Sequence, residues 1–157
     1  MAVTSLWVVI AAYNEATVIA GVVANVRGAG YPVIVVDDGS SDTTGDVAEA
    51  AGALVVRHPI NLGQGAALQT GLEFALSSGA EIIVTFDGDG QHRVADIEVL
   101  AAALRRHNAD FALGSRFLGD TSNQPLSRRI MLKLASMKEA SRKNMMSISG
   151  MISIRAS

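Results

Sequence analysis

Short runs of apolar, mostly β-branched residues recur along the first two thirds of the chain, separated by segments of helical spacing. No other feature constrains the fold as much. LWVVIA (Leu6–Ala11), VIVV (Val33–Val36), ALVV (Ala53–Val56), EIIVTF (Glu81–Phe86) and Phe111–Gly114 read as strands, the first two as buried ones. Ala16–Ala29, Thr43–Ala51, Ala66–Leu76 and Val94–Arg106 read as helices. The first carries Val18, Val22, Val23 and Val26 at helical spacing, and the last carries Ile97, Leu100, Ala101 and Leu104 on one face. Gly28 and Gly30, Gly52 and Gly79 suit the ends of the first three helices. Strand and helix in alternation imply βαβ units with right-handed crossovers. The expected class is α/β, a Rossmann-like, mostly parallel sheet with helices on both faces.

Sheets of this kind bind ligands outside the carboxyl ends of their strands. The polar clusters fall there: YNE after the first strand, DDGSSD after the second, DGDGQH after the fourth and GSR after the fifth. TFDGDGQH supports two compatible readings. Asp and Gly are common turn formers. Asp87 and Asp89 are also alternate residues beyond a strand end, where both carboxylates can converge on one cation. Gly88 admits a close ligand, and Gln91 adds a neutral oxygen.

Composition narrows the rest. The chain has 157 residues, enough for one domain with its own core. It has no cysteine, which excludes a disulfide scaffold, a thiolate metal site and a catalytic thiol. The N-terminus lacks a basic leader, and no stretch approaches ~20 apolar residues. The expectation is a cytoplasmic chain, at most peripheral to a membrane. Net charge is −2 but uneven: residues 1–127 hold 14 acids and 6 bases, residues 128–157 hold 1 acid and 7 bases. The chain is therefore divided into a domain over 1–127 and a basic tail over 128–157, with GDTSNQP (Gly119–Pro125) as the linker-like segment.

An acidic crevice repels a phosphate unless a divalent cation intervenes. Mg²⁺ and Mn²⁺ prefer oxygen ligands and are often held by one or two carboxylates plus substrate phosphates. A dinucleotide fold is disfavoured, because AAYNEA stands where G-x-G-x-x-G would follow the first strand. NLGQG lacks the P-loop pattern, although a helix starting near Gly65 offers backbone N–H groups to a diphosphate.

Five motifs in this order and spacing carry a resemblance: AAYNEA, VVDDGSSDTT, NLGQGAALQTG, FDGDGQH and GSRF. Over about residues 4–133 the chain resembles the inverting family 2 glycosyltransferases of GT-A fold. Within them it looks most like the polyprenyl- or dolichyl-phosphate mannosyl- and glucosyltransferases. The resemblance implies a nucleotide pocket lined by Ala11, Tyr13, Glu15, Asp37, Asp38, Gly65, Asp87 and Gly88, with Asp38 on the nucleobase. It implies Mg²⁺ or Mn²⁺ held by Asp87, Asp89 and Gln91. Asp89 and Arg116 are implied as catalytic, Arg116 facing phosphate charge. It further implies a nucleotide-sugar donor (a GDP- or UDP-sugar) and a polyprenyl-phosphate or other glycosyl acceptor at a membrane surface. A lipid phosphate is ionised near neutral pH and needs no base, but it needs cations, for which Arg128, Arg129 and Lys133 are candidates. A nucleic-acid partner is not expected, and a homo-oligomer is left open.

Other readings stand beside these. Asp37 and Asp38 suit a turn or helix cap. His92 suits a loop hydrogen bond, while His58 and His107 have no partner pattern. Arg105 and Arg106 suit a helix C-terminus, and Arg128, Arg129 and Lys133 suit a solvated face. Gln64 stands where many members of the family carry lysine. The resemblance stops near residue 134, and SMKEASRKNMMSISGMISIRAS reads as a truncated or frame-shifted end, or as a basic membrane-surface segment. The alternatives to transfer are nucleotide-sugar binding without turnover and a nucleotidyltransferase.

Overall fold

In the computed structural model, the described residues are 5–88, 93–108, 110–114, 130–131 and 152–155. The chain runs β1 (Leu6–Ala12), α1 (Ile19–Gly28), β2 (Val33–Asp37), α2 (Thr44–Ala50), β3 (Leu54–Arg57), α3 (Gln64–Ser77), β4 (Ile82–Asp87), α4 (Ala95–His107) and β5 (Phe111–Gly114). Two short strands follow, β6 (Ile130–Met131) and β7 (Ile152–Arg155). Every strand and helix expected from the sequence is present, with ends within a few residues. The largest shift is at α1, which begins at Ile19. The Glu15 carbonyl accepts the Val18 and Ile19 N–H groups just before it, so the YNE segment stays a loop.

The sheet order is β3-β2-β1-β4-β7-β5-β6. β1 pairs in parallel with β2 and β4, and β2 with β3. The chain thus winds outward from β1 to β3 and then returns to the other side of β1, which makes the β1/β4 boundary the topological switch point. Strand alternation sorts the core into two layers. Val8, Ile10, Val35, Val84 and Phe86 pack with Ile19, Val23 and Val26 of α1 and Ile97 and Leu104 of α4. Val9, Ile34, Val36 and Ile83 face Ala67 and Ala75 of α3. That helix sits close to the sheet: a Cβ on Gly71 would lie 2.3 Å from Val9 Cγ1 and 3.1 Å from Val36 Cγ2.

Two short stretches within the last thirty residues take part in the sheet. β7 lies between β4 and β5, antiparallel to both, and β6 pairs antiparallel with β5. Reading this segment as a tail without period missed both strands, each of which pairs with residues far away in sequence. The linker-like residues 119–125 lie outside the described residues.

Candidate functional site

β1 ends between two acids. Ala12 is in register with Asp37 of β2, and Ala11 with Asp87 of β4. Strands spaced about 4.8 Å apart put the two acidic backbones roughly 10 Å apart across β1. Asp87 is half-buried and Gly88 buried. The Gln64 side chain, at the head of α3, donates Nε2–H to Asp87 Oδ1 at 3.3 Å. The first turn of α3 holds no acid. A carboxylate, a neutral amide and a helix N-terminus thus meet at the switch point, and Gly65 lies in that first helical turn.

The loop after β1 is latched to the loop after β2. Asn14, in the left-handed region at φ 55°, donates its N–H to Ser40 Oγ (2.9 Å), and its side-chain oxygen accepts the Ser41 N–H (2.8 Å). Glu15 N–H donates to Thr44 Oγ1 (2.8 Å) and Ala16 N–H to Asp42 Oδ2 (3.2 Å). Asp42 also accepts from the Thr44 N–H and hydroxyl. The Thr44 hydroxyl, chiefly, and these backbone donors hold the Asp42 carboxyl below its usual range, against desolvation that pushes it up. The result leaves Tyr13 48% exposed at the rim and Glu15 half-buried beside it.

Asp37 and Asp38 are both buried but differ in use. Asp37 Oδ1 accepts the Ser40 N–H (3.0 Å), which closes the turn after β2. Gly45 makes room beside it, since a Cβ there would meet Asp37 Oδ2 at 2.6 Å and Arg57 Nε at 2.7 Å. Arg57 also pairs with Asp46 and Glu49, each at 2.9 Å on exposed side chains, where such pairs add little stability. Asp38 is turned inward. Its Oδ1 accepts the Leu62 N–H (2.9 Å) and lies 2.7 Å from His58 Nδ1, and its Oδ2 accepts the Gly63 N–H (2.8 Å). Burial pushes the Asp38 carboxyl up, but the Leu62, His58 and Gly63 donors together outweigh it and hold the group below its usual value. Both oxygens are spent on the segment that leads into α3. These bonds tie the turn after β2 to the loop before α3 and cap neither helix, since α2 and α3 have no side-chain cap, while contact with a nucleobase would fall to its surroundings.

Sequence reasoning missed His58. Its Nε2 lies 3.0 Å from Thr70 Oγ1 on α3, so the ring spans from the end of β2 to the body of α3. The available signal was position, since HPIN follows the third strand on the same sheet edge as the other motifs. In the sequence, Gln64 stands out only as a departure from lysine, which does not foretell its reach to Asp87.

Asp89, Gln91, His92, Arg116, Arg128, Arg129 and Lys133 lie outside the described residues. Among the described residues, no group of three or more His, Asp or Glu could by itself hold a metal ion. The described member of the expected ligand set, Asp87, offers an oxygen donor at the open edge, and Asp89 and Gln91 would add only oxygen. Such a donor set fits Mg²⁺ or Mn²⁺ rather than a softer metal. Among the described residues, no helix is long and apolar enough to cross a membrane.

Comparison with known proteins bears on this edge. An uncharacterized protein of Methanocaldococcus jannaschii is 41% identical over 128 residues, covering 80% of this chain and 53% of that protein. The UDP-N-acetylglucosamine–dolichyl-phosphate N-acetylglucosaminyltransferase of Methanococcus voltae is 32% identical over 150 residues, covering 83% of this chain and 60% of its own. The chain thus spans little more than half the length of these relatives. Glucosyl-3-phosphoglycerate synthase from Mycobacterium tuberculosis was crystallised with Mn²⁺, uridine diphosphate and glucosyl-3-phosphoglycerate. It matches with a TM-score of 0.59 at 26% identity, over 70% of this chain and 43% of that one. The fold is that of the GT-A glycosyltransferases. The family model described as glycosyl transferase family 2 matches residues 7–156, so the match runs past the point where the motifs end and includes β7. A match from the first strand to the last, on a fold shared with that synthase, places this chain in glycosyl transferase family 2.

Proposed function

We propose that this chain binds a nucleoside-diphosphate sugar across the carboxyl edge of β1, β2 and β4 and transfers the sugar, with inversion, to a polyprenyl phosphate at a membrane surface. The observation that carries this reading is Asp87, at the switch point, facing Gln64 and the acid-free head of α3. Tyr13 offers an exposed ring at the rim for the nucleoside, and Ala11, Glu15 and Asp37 belong to the same strand-end edge. The Gly65 turn presents backbone N–H groups to the diphosphate, and Gly88, buried beside Ala11, lies on the same edge. Asp87, Asp89 and Gln91 would hold a divalent cation, which supplies Lewis-acid neutralisation of charge on the departing diphosphate. Arg116 would face the same charge. An acceptor phosphate oxygen, held by Arg128, Arg129 and Lys133, forms the new bond to the anomeric carbon as the bond to the diphosphate breaks. No base is required, because that oxygen is already ionised.

The M. voltae relative is named for a UDP sugar and dolichyl phosphate, and the M. tuberculosis synthase was crystallised with UDP and Mn²⁺. UDP with Mn²⁺ is therefore the first probe. Calorimetric titration of the chain should show binding of UDP or GDP that requires Mn²⁺ or Mg²⁺. Asp87→Asn should weaken it by about tenfold or more, since metal-site partners carry effects of that order. Metal-independent binding, or an unaffected Asp87→Asn variant, would refute the proposed site.

A further inference from the structure

We infer that His58 is a positioning residue for the donor site, a role that rests on the reading above. It locks the turn leading into α3 and so sets Gln64 and the helix head against Asp87. The turn has little apolar anchoring of its own: Ile60 is 63% exposed and Leu62 54%. What holds it is polar and steric. Asp38 accepts the Leu62 and Gly63 N–H groups. Gly39, at φ 72°, packs so closely that a Cβ there would lie 2.4 Å from the Ile60 carbonyl carbon and 2.5 Å from Asn61 N.

His58 joins these pieces. Its side chain is 8% exposed, and its backbone N–H donates to the Asp37 carbonyl (2.9 Å), which ties the start of the turn to the end of β2. Its ring bridges Asp38 Oδ1 at 2.7 Å and Thr70 Oγ1 at 3.0 Å. Thr70 lies six residues beyond Gln64, roughly 9 Å along α3. The bridge therefore fixes the helix body to β2 while Asp38 fixes the residue before its head. Between those two ties sits Gln64, whose amide reaches Asp87. A histidine that merely filled core volume would not need both nitrogens matched to polar partners on different elements. For a singly protonated ring, the partners also assign the tautomer. A carboxylate only accepts, so Nδ1 carries the proton toward Asp38, and Nε2 accepts the Thr70 hydroxyl.

The test uses the full chain with His58→Ala, His58→Asn and Thr70→Val. Long-range proton–nitrogen NMR on wild type should show the Nδ1–H tautomer for His58; an Nε2–H ring would contradict the bridge. In His58→Ala, the Leu62 and Gly63 amides should exchange with solvent about tenfold faster or more in the ligand-free chain. UDP–Mn²⁺ binding should weaken by roughly tenfold in parallel. His58→Asn, whose amide N–H can replace Nδ1–H toward Asp38, should recover most of both losses. If His58→Ala does not fold, Thr70→Val should show the same changes in milder form. A folded His58→Ala whose Leu62 and Gly63 protection and UDP affinity both match wild type, with only a lower melting temperature, would reduce His58 to core packing and overturn the inference. A wild-type chain that binds neither UDP nor GDP with Mn²⁺ overturns the donor-site role as well. The exchange measurement distinguishes that failure from a bridge that does not hold.

Discussion

Asp38 illustrates what a strand-end acid can be used for. In sequence, the resemblance puts Asp38 on the nucleobase; in the fold, Asp38 spends both oxygens on Leu62, Gly63 and His58. A buried carboxylate with such donors contributes about 1.5–3 kcal/mol per charge-assisted hydrogen bond removed. Asp38→Asn keeps one acceptor oxygen, and should cost about 2 kcal/mol in urea unfolding at pH 7. The pH dependence has a definite sign. The Leu62, His58 and Gly63 donors hold the folded carboxyl below its ordinary value, so its stabilisation is complete above about pH 5. It is lost as pH falls from the unfolded value through the lower folded one. Unfolding free energy measured down the acid limb should fall less steeply in Asp38→Asn than in wild type. An unchanged acid limb would mean that Asp38 is not held in this way. The pairing itself was hidden from the sequence, because His58 and Asp38 are 20 residues apart and Thr70 a further 12. Hydrogen bonds between loops of different βαβ units leave no local period to read.

At the scale of elements, the helices and parallel strands were legible because each carries its own period and ends on its own breaker. The junctions were not. α3 reaches its place because Gly71 lets it approach Val9 and Val36, both fully buried. Gly71→Ala adds a methyl group with nowhere to go. Overpacking of about 1–3 kcal/mol opposes a helix-propensity gain of about 1 kcal/mol, so the net change should be destabilising. Because the same helix carries Gln64, UDP–Mn²⁺ affinity should fall as well; a variant as stable as wild type and binding as tightly would argue against this close packing. β7 is the opposite case. ISIR sits in a Ser-, Met- and Lys-rich stretch and gains its identity only by pairing with β4 and β5, whose residues lie some 40 to 70 positions earlier. Ser153 pairs with Val84 on one side and Ala112 on the other. Ser153→Pro removes a ladder N–H between two strands and should destabilise the chain by about 3 kcal/mol in urea unfolding. A neutral result would show that β7 is not an integral strand.

For the molecule as a whole, the α/β architecture and the gathering of YNE, DDGS and Asp87 on one sheet edge followed from strand–helix alternation. What each side chain does at that edge depended on contacts across loops. The central claim is that this edge binds a nucleoside diphosphate through a divalent cation. Paramagnetic broadening by Mn²⁺ with UDP measures it most directly, since Mn²⁺ erases nearby amide signals. The amides of Gly63, Gln64, Asp87 and Gly88 should vanish first, with Ala11 to Glu15 weakened. Those of Gly30, Gly52 and Gly79, at the far ends of the helices, should stay sharp. Broadening confined to those distant glycines, or no broadening at the β4 end with saturating UDP, would contradict the account.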